Sequence, residues 1–515
     1  MALRANFFRG WITWVIPSLI DLLAVILFIH VFFNFGPLKE FDLFWHLKTG
    51  QLMLQNHQLF YTDPYSFTHG GVDWINHEWL SQIIFAVLYK VGKLPLIAFT
   101  NALIIGILIY QWFQRLLKAK ISVFMSLAVS FFVFLTTAAV WTPRPHLFSL
   151  LLFSTTLLIL QKYRRNQKAK AWWLPLIFVL WVNLHSGFIA GLLLLFLFCL
   201  SEGIKLLYNL PNRMQPQRFK HLVLISIICL LVSFLTPYGV DALFYPFQYL
   251  NGDLPSEQYV NEWVGANFHH VPLFVIYLLM LFFSLAFSRK EKDMTQIIIS
   301  LPFMFLALKS VRHIPFFVMT TLVLFGTHFS LALQEWNNYL IKKNVRVIQP
   351  IIKGLRKFFI NESPKFLMLE QHLNKKVFFL IVAVGCLIYG MFTPKLFNLD
   401  SSKLPIDAVE FLKSQPRLLE SKGLNDYAWG GYLIQQLYPQ TKVFIDGRND
   451  VHRTAFLEEY REAVNGLPGY EKVLDKYEIS WTLLQTPSPL NQVLSQKYGW
   501  KKVYSDPVAT VYSRI

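Results

Sequence analysis

Cysteine is almost missing: Cys199, Cys229 and Cys386 are the only three in 515 residues, and each lies inside an apolar run. That pattern fits small packing residues and argues against a disulfide or thiolate-metal framework. Charge is scarce as well, at 15% of residues, where soluble domains carry about 25%. No GxGxxG or P-loop pattern occurs, so the sequence offers no nucleotide cradle. "HEWLS" at 77–81 lacks the second histidine of a zinc-protease helix, and there is no tandem repeat or low-complexity tract.

What is abundant is apolar surface. Hydrophobic residues make up 54% of the chain, with 48 phenylalanines, and apolar runs recur from residue 11 to residue 393. Many approach the ~20 residues that cross a bilayer. The expectation is a polytopic α-helical membrane protein. The 48 Lys and Arg outweigh 30 Asp and Glu, for a formal charge of +18. They cluster between apolar runs, at 115–120, 162–170, 213–220, 289–293 and through 342–376. This is the positive-inside pattern, so the basic excess reports topology and anionic-lipid contact; no nucleic-acid partner is expected.

Placing the basic clusters in the cytoplasm gives a path of about eleven spans. These are 11–35, 94–113, 121–141, 147–161, 171–184, 188–208, 221–236, 272–288, 294–310, 316–333 and 377–393. The N-terminus, with Arg4 and Arg9, is then inside, and the loop 36–76 is outside. Residues 78–91 are helical in pattern but too short to span, and are read as re-entrant or juxtamembrane. A first retained helix fits 11–35 better than a cleaved signal peptide. The organisation is a transmembrane module 1–335, a basic cytoplasmic segment 336–376, a last transmembrane helix 377–393 and an extracytoplasmic domain 394–515. That C-terminal part is more charged and alternates patterns. Helices are expected at 405–415, 453–464, 470–477 and 491–499, strands at 442–447 and 480–486, and a hairpin at 501–514. A small α/β domain follows.

The polar residues gather on the outer side. Asp42, His46 and Lys48, Asp63, Asp73, His77 and Glu78, Arg144 and His146, Asn183 and His185, and Arg312 and His313 come from different spans. Ionisable groups at membrane depth are costly and usually face a cavity, so they point to a pocket opening outward. Each also has a plainer role. Asp42 can cap the helix through 43–54, and Asp63 can build the turn "TDPYS". The histidines can bond helix-end backbone, and Arg144 and Arg312 can snorkel to headgroups. A divalent metal at His46, His69, His77 and Glu78 is conceivable, but no ligand spacing supports it. In "FIDGRND" 444–450, Asp446 and Arg448 fit a loop-shaping ion pair, with acceptor contact as the alternative.

The ordered motifs resemble a family. "FDLFWHLKTGQ" after a first helix, continued by "LFYTDPYSFTHGGVDWINHEWLSQIIFAVLY" 59–89, is similar to the first outer loop of the GT-C integral-membrane glycosyltransferases. These include protein O-mannosyltransferases, aminoarabinose transferases and oligosaccharyltransferases. "WTPRPHLFSLLLF", "WVNLHSGFIAG", "TPYGVDALFYP", "VRHIPFF" and "YAWGGYLIQQLYPQTKVFIDGRND" resemble segments of uncharacterised bacterial relatives. The resemblance implies a sugar donor on a polyprenyl phosphate and transfer to an extracytoplasmic glycan, lipid or protein; apart from the conceivable divalent metal, no cofactor is expected. It puts the loop aspartate at Asp42 as general base, with His46 or Asp63 assisting. Where mannosyltransferases often have a second acid, Leu43 stands. Arg144, Arg312 and Lys48 would hold the donor phosphate, and His77, Glu78, His146, Asn183, His185 and His313 would line the pocket. Direct displacement would invert the anomeric centre. The rivals are a lipid-linked-glycan transporter or flippase, for which Asp21 and Glu202 are the candidates at depth, and a non-catalytic envelope assembly protein.

Overall fold

The computed structural model describes residues 16–34, 41–165, 170–248, 265–342, 354, 363–373 and 376–515. Arg4 and Arg9, residues 36–40 of the outer loop and much of the basic segment 336–376 lie outside them. The chain is mainly helical, with a small sheet in its C-terminal part.

Among the described residues, a helix occupies the larger part of each of the eleven segments read as spans. Four are long and apolar enough to cross a membrane: Trp79–Lys118, His146–Arg164, Phe188–Leu207 and Val311–Leu340. Leu19–Phe33, Val123–Thr136, Ala171–Leu184, Pro272–Phe287, Met294–Lys309 and Val377–Phe392 are apolar but shorter, so helix length alone does not carry a count of eleven. The segment 78–91 is the first arm of Trp79–Lys118. That helix breaks at Gly92 and Lys93, where Lys93 takes a φ of 54°, and resumes through Pro95. The expected boundary between a short helix and the next span is this kink.

Sequence explains how the helices start. Ser18 and Asp21 bond reciprocally at the head of Leu19–Phe33, and Glu370 accepts from the Leu19 backbone N–H at 2.9 Å. Asp21 is thus a capping residue. Glu202 is enclosed too: Lys205 Nζ lies 3.0 Å and Arg164 Nε 2.9 Å from it, and Thr295 Oγ1 and the Met214 N–H donate to it. Both acids named by the transporter reading serve packing.

The C-terminal part holds four strands, β1 (Gly423–Asn425), β2 (Trp481–Gln485), β3 (Trp500–Ser505) and β4 (Ala509–Arg514), ordered β1-β2-β4-β3. β1 and β2 are parallel; β4 is antiparallel to β2 and β3. Helices Ile406–Lys413, Thr454–Val464, Tyr470–Lys476 and Pro489–Ser495 fall where periodicity predicts them. The strand expected at 442–447 does not form. Val443 pairs instead with the first loop, donating to Tyr65 O at 3.0 Å and accepting from Phe67 N at 3.1 Å. The Asn425 side chain takes the next N–H, from Phe444, at 2.9 Å. The apolar run "VFI" is buried by contact with a distant loop, which alternation in the sequence cannot distinguish from a sheet.

That loop and the tail share one core. Phe44, Trp45, Tyr65 and Trp74 pack in a single cluster with Leu404, Leu412, Trp429, Leu433 and Val511. Each such side chain contributes about 1.5–3 kcal/mol on burial. Below, the helix Asp42–Asn56 lies so close to the start of Trp79–Lys118 that a methyl on Gly50 would overlap Gln82 O. Only glycine permits that approach.

Candidate active site

Asp42 is the first residue of the helix Asp42–Asn56, whose N-cap Phe41 makes no side-chain bond. A carboxylate there is favoured by the helix dipole. It pairs with Arg144, with Nη2 of Arg144 2.8 Å from Oδ2 of Asp42 and both side chains partly exposed. On its other flank stands the tail: a methyl on Gly447 would overlap Oδ1 of Asp42. A lone glycine thus lets the tail loop reach this acid.

A second group surrounds Glu78, which stands just before the first residue of Trp79–Lys118 without a side-chain capping bond. His185 Nε2 lies 3.5 Å and His77 Nε2 3.7 Å from Oε1 of Glu78, and His46 Nε2 lies 3.8 Å from Oε2. The backbone N–H of Gly187 donates to His185 Nδ1 at 2.8 Å, so the proton of neutral His185 sits on Nε2 and faces Glu78. His77 approaches the Ile75 carbonyl through Nδ1 at 3.3 Å, which leaves its Nε2 lone pair toward the same carboxyl. Burial, with Asp450 and Asp42 against the pull of Arg144, raises Glu78 to about 8. Burial lowers His77 to about 4 and holds His46 and His185 well below the usual histidine range, aided by Arg144 and Arg312. At neutral pH this is a protonated carboxyl among neutral imidazoles.

Both groups face one cavity of about 490 Å³. Its lining takes in Leu150, Leu193, Leu306 and Phe316 from the apolar helices together with Arg144, His146, Arg312 and His313. Trp45, Trp74, Asn449 and Asp450 from the first loop and the tail line it too, with Tyr245, whose ring lies 4.3 Å from that of His77.

The tail is fixed to the first loop by a buried charge cluster. Arg448 Nη1 lies 2.7 Å from Oδ1 of Asp63, and Nη2 lies 2.7 Å from Oδ2 of Asp446. Tyr65 and Trp74 hold the guanidinium between their rings at 4.9 and 4.8 Å, and His452 lies 3.5 Å from Asp446. Burial pushes Asp446 up, but Arg448 and His452 hold it well below the usual carboxylate range.

Of the twelve residues given catalytic, phosphate-binding or pocket roles by the resemblance, nine meet at the cavity: Asp42, His46, His77, Glu78, Arg144, His146, His185, Arg312 and His313; Arg448 of the tail lines it as well. Three of the twelve stand outside its lining. Asp63 is bound by Arg448 and by the Tyr65 and Ser66 N–H groups and the Ser66 hydroxyl, which makes it a structural acid. Lys48 donates to Tyr438 O at 2.8 Å, turned toward the tail. Asn183 accepts from Trp79 Nε1 at 2.9 Å and bonds Leu235 O, joining helix ends behind the cavity. Sequence reasoning missed Trp74, Tyr245, Asn449 and Asp450; the polar run after Gly447 was the available signal for the last two. Among the described residues no group of three or more His, Cys, Asp or Glu is placed to hold a metal ion.

No protein-family model and no curated protein matches the sequence. Solved structures do match in fold. The archaeal oligosaccharyltransferase AglB from Archaeoglobus fulgidus, in complex with an inhibitory peptide and a dolichol-phosphate, superposes with a TM-score of 0.53 at 11% identity, over 96% of this chain and 74% of that one. ArnT from Cupriavidus metallidurans in the apo state gives 0.50 at 12% identity over 98% of both chains. The arabinofuranosyltransferase AftD from Mycobacteria gives 0.51 at 13% identity, over 96% of this chain and 41% of that one. The chain has the fold of the GT-C membrane glycosyltransferases.

Proposed function

We propose that this protein is a membrane glycosyltransferase that moves a hexosyl or pentosyl group from a polyprenyl-phosphate donor to an extracytoplasmic acceptor, with inversion. The observation that carries the reading is Asp42 and Arg144, 2.8 Å apart on one wall of a cavity that also takes in Arg312. A proton acceptor and anion-binding groups at the outer ends of apolar helices are what this transfer needs.

An acceptor hydroxyl is a weak nucleophile, so its proton must pass to a base as its oxygen attacks the anomeric carbon. Asp42 takes that proton. The bond from the anomeric carbon to the phosphate oxygen breaks, and the electron pair leaves on the polyprenyl phosphate. Arg144 and Arg312 hold the growing charge in a partly desolvated site, where charge-assisted bonds are strong. Arg144 also acts earlier, pairing with Asp42 before the donor binds. The dolichol-phosphate held by AglB is the kind of carrier the apolar helices suit, its isoprenoid lying among them. In this reading the N-terminus is cytoplasmic, and the outer loop and tail are not.

The test is mass spectrometry of cell-envelope glycans, glycolipids and glycoproteins from cells with and without the chain. Loss of one hexose or pentose increment is the expected result; identical profiles would remove the proposal.

A further inference from the structure

The group around Glu78 is assembled from separate parts of the chain. His77 and Glu78 precede Trp79–Lys118, His185 follows Leu174–Leu184, and His46 lies one turn beyond Asp42 on its helix. All four line the cavity. The orientation of His185 is fixed from behind. Trp181 Nε1 donates to Ser149 Oγ at 2.7 Å, and Ser149 Oγ lies 2.8 Å from His185 Nδ1, which also accepts from the Gly187 N–H at 2.8 Å. An indole only donates, so the Ser149 hydroxyl keeps its own proton for Nδ1. A methyl on Gly187 would overlap Ser149 Oγ, so this chain of bonds needs glycine there. His185 therefore turns Nε2–H toward Glu78.

The inward groups nevertheless do not satisfy one another. The Glu78 carboxyl lies 3.5 Å from His185 Nε2, 3.7 Å from His77 Nε2 and 3.8 Å from His46 Nε2. Each separation exceeds the roughly 2.7–3.2 Å of a hydrogen bond. A fixed N–H donor, a carboxyl and a ring lone pair converge without closing. A bound hydroxyl completes that pattern, because it accepts and donates at once. An anion, which only accepts, would meet the His77 lone pair, and a cation would meet the His185 proton.

We infer that Glu78, His77 and His185 form the subsite for the transferred sugar and hold one of its hydroxyls. The inference rests on the transfer reading above and names residues that select its donor. The transferred ring is the part of the substrates that is both bonded to the phosphate and attacked by the acceptor. It must therefore lie between the base Asp42 and the arginines Arg144 and Arg312, which share the cavity with Glu78. Glu78 is within electrostatic reach of all three. Burial raises Glu78 to about 8, so at neutral pH the subsite is uncharged and the charge is left to the phosphate. The sugar hydroxyl accepts from His185 Nε2–H and donates to His77 Nε2, with the neutral Glu78 carboxyl bonding beside it.

The experiment uses the full-length chain in detergent. Polyprenyl-phosphate lipids extracted from cells lacking the chain, in which the unused sugar-charged donor accumulates, compete with added undecaprenyl phosphate. Native mass spectrometry reads both bound species. The wild type should prefer the sugar-charged lipid. Glu78→Leu should still bind undecaprenyl phosphate, while that preference falls about tenfold or more. His77→Phe keeps a ring against Tyr245 and removes the nitrogens, so it should fold as the wild type does and lose the preference similarly. Glu78→Gln, which retains a donor and an acceptor, should recover most of the preference lost in Glu78→Leu. No preference in the wild type, or one unchanged in Glu78→Leu and His77→Phe, overturns the inference. Loss of undecaprenyl phosphate binding by folded His77→Phe also overturns it, by making the group a phosphate site. So does a Glu78→Gln protein that recovers nothing, because the carboxylate charge would then be what matters. The transfer reading survives all of these. No polyprenyl-phosphate lipid bound by the wild type and no glycan change on deletion would overturn that reading, and this inference with it.

Discussion

Arg448 of the tail and Asp63 of the first loop form a 2.7 Å ion pair in which neither side chain is exposed. The same guanidinium serves Asp446, so one cation neutralises two buried carboxylates from segments almost 400 residues apart. This pair makes the tail part of the site. It fixes the loop that sets Gly447 against Asp42 and turns Asp450 toward the cavity.

Removing the cation should therefore be severe. Arg448→Met leaves Asp63 and Asp446 buried and unpaired, at a cost of about 3–5 kcal/mol. Thermal unfolding of the purified chain checks this. Adding Asp63→Asn should recover part of the loss, because the two residues share one network.

Gly447→Ala tests the reach of the tail separately from its stability. The new methyl meets only the end of the Asp42 side chain, so the fold should hold while the carboxylate is displaced. A shift of about 1 Å at a reacting group costs roughly 10²-fold in transfer. Undiminished product formation would show that Asp42 does not need this placement.

Glu78 should make stability depend on pH. In the unfolded chain it ionises near 4.5, whereas burial raises it to about 8 in the folded protein. The folded state holds the proton through that window and the unfolded state does not, so stability is lost as pH rises from 4.5 to about 8 and levels off above. Glu78→Gln keeps the shape and cannot ionise. The wild type should lose more of its melting temperature than the variant between about pH 5 and about pH 9; parallel curves would show that Glu78 is not held protonated.

Much of this arrangement was legible in the sequence, because bilayer chemistry restricts where charge can sit. An Arg or His at the end of an apolar run has few reasons to be there, and Arg144, His146, His185, Arg312 and His313 do meet at one cavity. Asp63 misled because "TDPYS" looks the same whether its acid turns inward to a distant arginine or out to substrate; only the fold supplies Arg448. Lys48 misled for a like reason: it lies six residues after Asp42 on the same helix, but its amine turns to Tyr438. For Asp450 the polar run after Gly447 was only a hint, because its position depends on the whole tail folding back over the first loop. The 442–447 strand failed on the same long-range contact, between Val443 and Tyr65.

The most direct measurement is transfer by Asp42→Asn. The amide preserves size and can still accept from Arg144, but it cannot take a proton. The variant should fold and bind undecaprenyl phosphate as the wild type does, and form product roughly 10²–10⁴-fold more slowly. Product formation at the wild-type rate would contradict the assignment of Asp42 as the base, and with it the proposed mechanism.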